Sequence, residues 1–313
     1  MNAMKRIKYN ATIKKKQQEV LFMIRIGLTG WGDQEDLYPN RTKAKDKLRL
    51  YGQYFTTVEV DSSFYAVQPR DRMARWAAET PDSFAFIVKA YQGMTGHLRG
   101  KPYFTSTSEM YKAFRESLEP VMEAGKMQAA LFQYPPWFEC NRDNVNELRE
   151  VKLRMEGIPC ALEFRHRSWY EEGMRERTLA FLKEQGWIHS VCDEPQAGPG
   201  SIPIVPEATD AEMTLVRMHG RNVSGWHQNG APNWRETRYL YRYNQEELLE
   251  WKGYLEQLQE QSKDVYVIFN NNSGGDAAAN AQMMMELLEQ PVKPFPDRTE
   301  PEEEEGPEQL ELF

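Results

Sequence analysis

Eight short runs of apolar and β-branched residues punctuate the chain: Ile24 to Gly30, Thr57 to Asp61, Phe84 to Ala90, Met127 to Tyr134, Cys160 to Arg165, Ile188 to Asp193, Met213 to Gly220 and Val265 to Asn271. Between most of them lie stretches whose apolar positions recur at helical spacing: Lys43 to Tyr51, Arg70 to Thr80, Glu109 to Ala124, Arg142 to Met155, Gly173 to Gln185 and Gln245 to Gln261, with Asp276 to Glu289 following the last run. Strand-length runs alternating with amphipathic helices predict parallel strands joined by crossover helices. Eight of them predict a single α/β unit, a (β/α)8 TIM-type barrel over residues 23–295. One crossover departs from the pattern. After the sixth run the chain reads EPQAGPGSIPIVPEATD, whose prolines and glycines forbid a regular helix, so the barrel is expected to be irregular there.

The two ends do not share this patterning. Residues 1–22 are basic and lack the apolar stretch of an export signal. A ribosome-binding sequence can encode Gln18-Glu19-Val20 ahead of Met23, so native translation is expected to begin at Met23. At the other end EPEEEEGPEQLELF is too acidic and too poor in apolar residues to fold alone, and residues 296–313 are expected to form a flexible acidic tail. The net charge of −8 is mostly this tail, because residues 300–313 hold seven glutamates and no base, leaving about −1 elsewhere. The overall acidity therefore does not argue against an anionic ligand in the barrel. No apolar run approaches the length of a membrane span, and Cys140, Cys160 and Cys192 lack metal or redox spacing. A reducing, cytoplasmic location is expected.

Several ordered motifs resemble the YecE-like family, whose domain is called domain of unknown function 72. They are Gly30-Trp31, Val58-Glu59-Val60-Asp61-Ser62-Ser63-Phe64-Tyr65, Trp76 with Thr80-Pro81, Phe84 to Lys89, and Leu131-Phe132-Gln133-Tyr134-Pro135-Pro136. Further along come Glu163-Phe164-Arg165-His166 with Ser168-Trp169, Val216-Arg217-Met218-His219-Gly220 and Phe269-Asn270-Asn271. The resemblance runs from Ile24 to Leu288 and implies a barrel fold, while leaving the activity open. In that pattern Thr and His are adjacent, where this chain reads Met94-Thr95-Gly96-His97, so His97 is not carried over as a site residue. The terminal Gln309-Leu310-Glu311-Leu312-Phe313 is similar to the peptide by which bacterial DNA polymerases and repair proteins dock on the sliding clamp. That similarity implies hydrogen bonds from Gln309 and apolar pockets for Leu310, Leu312 and Phe313.

Active sites of such barrels lie at the C-terminal ends of the strands, and strand side chains alternate in direction. If Val58 and Val60 face the helices, Glu59 and Asp61 face the axis. The same rule pairs Glu163 with Arg165 and Arg217 with His219, and it turns Lys89, Gln133 and Asp193 inward opposite an outward Val88, Phe132 and Cys192. The expected result is a ring of four carboxylates, three bases, one histidine and one amide, whose partly desolvated groups would act as acids, bases or anion clamps. A structural ring of mutually neutralising ion pairs is the plainer alternative. Glu59, Asp61, Glu163, His166, Asp193 and His219 also offer ligands for a divalent metal, against the repulsion of Arg165 and Arg217.

Two further features bear on substrate. The loops Gly220-Arg221-Asn222 and Asn270-Asn271-Asn272-Ser273-Gly274-Gly275 occupy the corner where many barrels hold a phosphate, with Asp276 expected as the N-cap of the next helix. Aromatic residues gather in the predicted rim loops: Trp31, Phe64, Tyr65, Tyr91, Trp137, Trp169, Trp226 and Trp234. Trp76, Trp187 and Trp251 are expected to pack. With Trp31, Tyr65, Gln133, His166, Asn270, Asn271 and Gly274 as substrate contacts, the sequence points to an enzyme acting on a phosphate-containing substrate such as DNA and tethered to the sliding clamp. A sugar or sugar-phosphate enzyme and a non-catalytic clamp-associated module are the alternatives.

Overall fold

A computed structural model describes residues 23–226 and 237–297. Eight parallel strands form a closed barrel in sequence order: β1 Met23–Thr29, β2 Thr57–Val60, β3 Ala85–Lys89, β4 Met127–Gln133, β5 Cys160–Glu163, β6 Trp187–Asp193, β7 Met213–Met218 and β8 Asp264–Phe269, with β8 returning to pair with β1. Around them lie the helices α1 Lys47–Tyr51, α2 Arg70–Glu79, α3 Thr107–Glu123, α4 Arg142–Arg154, α5 Arg175–Gln185, α6 Gln245–Gln259 and α7 Asp276–Leu287. The TIM-type barrel expected from the sequence is therefore present, including the crossover between β6 and β7 that contains no helix. The leader, the tail with its Gln309 to Phe313 motif, and Trp234 lie outside the described residues. Among those described, no helix is long and apolar enough to cross a membrane.

Strand alternation divides the buried residues into two sets. Ala85, Ile87, Ala129, Leu131, Ala161, Ile188, Met213, Leu215, Tyr266 and Ile268 form a cluster of their own inside the barrel, while the alternate positions pack outward against the helices. Bulky apolar side chains from alternate strands fill most of the axis, with alanines where the strands leave less room. The tightest place is Gly27 on β1, where a Cβ would lie 2.1 Å from the Thr57 carbonyl oxygen of β2. The apolar interior gives way at the C-terminal strand ends to a layer of charged and polar side chains.

Helix boundaries follow local chemistry. The Ser106 and Asn141 side chains accept from backbone N–H groups in the first turns of α3 and α4, and Asn244 with Glu247 forms a full capping box on α6. Before α7 the expected cap is not the one found. Gly275 takes the cap position with φ 79°, no side chain caps the helix, and Asp276 is already its first residue. Only glycine adopts that left-handed conformation cheaply.

Candidate active site

The polar layer at the strand ends is one connected hydrogen-bonded network. Arg217 of β7 donates from Nε and Nη2 to both oxygens of Glu59 on β2, at 2.8 and 2.7 Å, and from Nη1 to Glu163 of β5 at 2.6 Å and to Gln133 of β4 at 3.3 Å. Arg165 donates from Nε to the other Glu163 oxygen at 2.5 Å and from Nη1 to Glu194 at 2.8 Å. Its Nη2 lies 3.0 Å from Nε2 of His219. Arginine only donates, so His219 Nε2 accepts and the ring proton sits on Nδ1. Asn270 Nδ2 lies 2.8 Å from Nδ1, and a neutral imidazole of that tautomer requires the carboxamide turned over so that its oxygen accepts.

Charge balance inside this network sets the protonation states. Burial would raise the Glu163 carboxyl, but the Arg165 and Arg217 guanidiniums outweigh it and hold it well below the usual carboxylate range. Glu59 is raised because burial prevails over Arg217 and Lys89. Burial also carries Glu194 up to about 7, against Arg165 and the Ile202 N–H. For His219, burial and the two guanidiniums depress the imidazole well below its ordinary value. Glu59, Glu163, Arg165, Arg217 and His219 are all buried, and the Trp226 indole lies 5.4 Å above Arg165 with Arg238 stacked on it at 3.9 Å. Both arginines are thus held by glutamates and covered, which leaves neither guanidinium facing a ligand.

One residue of the expected ring faces the other way. Ile188 belongs to the inner cluster and the Cys192 thiol lies within 4.8 Å of ligand atoms of Glu163 and His219, so alternation turns Asp193 outward, where Arg221 Nε donates to both its oxygens at 3.0 Å. The inward carboxylate is the next alternate residue, Glu194, which sequence reasoning missed because it opens the proline-rich segment. The expected metal-ligand set is dispersed for the same reason. Asp193 faces out, and His166 pairs with Ser168 at 2.8 Å. Among the described residues, Glu163, Cys192 and His219 are the group whose ligand atoms lie within 4.8 Å of one another. Both Glu163 oxygens and His219 Nε2 already accept from guanidiniums, and burial with neighbouring Glu163 and Glu194 raises the Cys192 thiol well above its ordinary value. That donor set, as arranged, does not fit a divalent cation.

A second group of reactive side chains stands above the network and reaches solvent. Lys89 Nζ donates to Asp61 Oδ1 at 2.7 Å, with side-chain exposures of 12% and 30%. Burial would lower the ammonium and raise the carboxyl; the pairing reverses both, so each stays charged. Lys89 also lies 4.9 Å over the Phe64 ring, and Phe64 meets His97 edge-on at 5.2 Å. Burial and the cations Lys89 and Arg165 lower His97 to about 4. Its Nδ1 is 2.9 Å from the Thr95 hydroxyl, a contact made across Gly96, which adopts φ 71°. The interposed glycine thus restores a threonine–histidine contact and places His97 at the mouth.

The remaining expected contacts divide. Tyr65 is a half-exposed rim residue. Trp31 packs edge-on against Trp76 of α2 at 4.9 Å, while Trp169 stacks in the core on Phe164 and Tyr91 is buried beside Phe104. Trp187 and Trp251 are buried, as expected for packing. Asn270 belongs to the network, but Asn271 turns away to the Tyr241 carbonyl and to Asn280 of α7. At Gly274 a Cβ would meet Leu240 at 2.6 Å, so packing occupies that approach. The expected phosphate corner is flanked by Asp276 and by Asp36, whose oxygen lies 3.9 Å from the Cβ position of Gly275. Carboxylates there oppose an anion at that helix end.

The family described as protein of unknown function DUF72 matches residues 25–305. The chain belongs to the DUF72 family. It is 58% identical over 268 residues to UPF0759 protein YunF of Bacillus subtilis strain 168, a match covering 85% of this chain and 95% of that protein. A DUF72 crystal structure from Enterococcus faecalis V583 is similar with a TM-score of 0.81 at 35% identity, covering 89% of this chain and 100% of that one. Another from Thermotoga maritima MSB8 gives 0.72 at 30% identity, covering 86% and 100%. The resemblance drawn from the ordered motifs is therefore correct in family and in fold.

Proposed function

We propose that this DUF72 barrel is a hydrolase for a phosphate-containing substrate, with the reacting groups at the mouth and the buried network as their rigid floor. The observation that carries the reading is the solvent-reaching Asp61–Lys89 pair beside His97, at the strand ends where barrel enzymes do their chemistry. Lys89 supplies positive charge to a phosphate oxygen, and Asp61 accepts a hydrogen bond from the attacking water. His97 takes the proton that water loses as its oxygen bonds to phosphorus and the ester oxygen leaves. A histidine near 4 is a weak base at rest, but the cause is partly the neighbouring cations. A phosphate anion seated on Lys89 offsets that repulsion and raises the imidazole towards neutrality. Substrate binding itself would then prepare the base.

In this reading Glu59, Glu163, Arg165, Arg217 and His219 position the mouth groups and do not touch substrate. The expected tail motif supports DNA as the phosphate source and the sliding clamp as partner, since tethering there would deliver the barrel to DNA. Removing Phe313 should abolish capture by the purified clamp; undiminished capture would discard the tether without touching the mouth. The enzyme itself is tested by turnover of a chromogenic phosphodiester, a phosphomonoester and oligonucleotides. Lys89→Met and His97→Gln should each lose activity while remaining folded, and no turnover of any phosphate ester by the parent chain would end the proposal.

A further inference from the structure

We infer that the rim strip Tyr65–Phe64–His97–Trp137, with Lys89 and Arg99 seated on its rings, is a binding site for a single strand of nucleic acid. This rests on the phosphate reading above and names the substrate class it would serve. The four rings form a continuous chain of edge contacts, with centroids 5.3 Å apart for Phe64 and Tyr65, 5.2 Å for Phe64 and His97, and 5.9 Å for His97 and Trp137. Its two ends are open to solvent, with Tyr65 54% and Trp137 53% exposed. Large rings anchored at one edge with half their surface exposed leave area to be covered by a ligand.

The charges along the strip select the ligand. Lys89 Nζ lies 4.9 Å over Phe64 and the Arg99 guanidinium 5.1 Å over Trp137. Arg99 makes no ion pair among the described residues, whereas Arg165, Arg217 and Arg221 are each held by carboxylates. The connection carrying it, residues 90–106, contains His97, Arg99 and Lys101 and no acidic residue. Aromatic faces interleaved with cations, Lys89 held by Asp61 and Arg99 outside any ion pair among the described residues, fit bases alternating with phosphates. A sugar would instead call for paired hydrogen-bonding side chains around its hydroxyls. In a duplex the base faces are hidden in the stack, so only an unpaired strand presents them to the rings. Two open rings at opposite ends of one strip suit successive bases of a strand better than one free nucleotide.

The test is equilibrium fluorescence anisotropy of the full chain with a labelled oligothymidine of about twelve nucleotides, a length within the range of single-strand sites. Trp137→Ala and Tyr65→Ala should each weaken binding about fivefold or more, Arg99→Ala should reduce the salt slope by about 0.7, and Leu153→Ala on the far surface of α4 should change nothing. Melting temperatures establish that the variants are folded, and the two ring variants are independent of each other. An abasic strand should bind as weakly as the Trp137 variant does. Unchanged affinity in both ring variants, equal affinity for the abasic strand, or competition by thymidine monophosphate at equal molar concentration would each overturn the assignment. Binding is read without turnover: a strand-binding chain with no hydrolysis defeats the enzyme reading alone, and a phosphoesterase that binds no strand defeats this one alone.

Discussion

Arg217 of β7 and Glu59 of β2 grip one another across the barrel through two parallel hydrogen bonds, both side chains withdrawn from solvent. A fork of this kind costs heavily to bury and more to break, because removing one partner strands the other's charge. Glu59→Ala should therefore destabilise the fold by roughly 3–5 kcal/mol in urea denaturation. Replacing both, Glu59→Leu with Arg217→Met, should cost clearly less than the single change. A double loss equal to the sum of the two single losses would show that the pair is not energetically coupled.

Glu194 and Glu163 give the protein opposite pH responses. Glu194 is raised from 4.5 to about 7, so the folded state keeps its proton where the unfolded chain has lost it. Its contribution is fully present below about 4.5 and is lost as pH rises through about 7. Glu163 is depressed, so its contribution is present above the ordinary carboxylate pKa and disappears as pH falls through its lower folded value. Stability curves of the parent and Glu194→Gln should thus diverge between about pH 4.5 and 7, the parent losing stability with rising pH relative to the variant. Parallel curves over that window would contradict the raised carboxyl.

Gly27 tests the closure of the barrel beneath the site. An added methyl would meet the Thr57 carbonyl oxygen at 2.1 Å and its Cγ2 at 2.7 Å, both on the neighbouring strand. Backbone cannot yield as a flexible side chain does, so Gly27→Ala should cost about 1–3 kcal/mol or more. Thermal melting reads this directly, and a variant as stable as the parent would mean the two strands separate more easily than their packing indicates.

The strand alternation that announced the barrel also gave the inward positions of Glu59, Glu163, Arg217 and His219, because each sits between residues of clear apolar character. It failed at β6, where Cys192 fits either face and the deciding partner of Asp193, Arg221, lies 28 residues further along the chain. Glu194 was hidden by the absence of any periodicity in a proline-rich loop. His97 was obscured by Gly96, since only backbone coordinates reveal that a left-handed glycine lets Thr95 reach over it. Sequence placed the aromatic residues in loops but could not say which ones fold inward. Trp169 finds Phe164 and Phe138 beneath it, whereas half-exposed Trp137 meets the His97 ring and the Arg99 guanidinium among the described residues.

The division between a reacting mouth and a structural floor is tested most directly by measuring turnover and melting temperature together for Lys89→Met, with a phosphodiester substrate. Asp61 stays partly exposed after this change, so little stability is at stake. A mouth that performs the chemistry predicts a loss of about 100-fold or more in kcat with the melting temperature nearly unchanged. Retained turnover with a lowered melting temperature would contradict it.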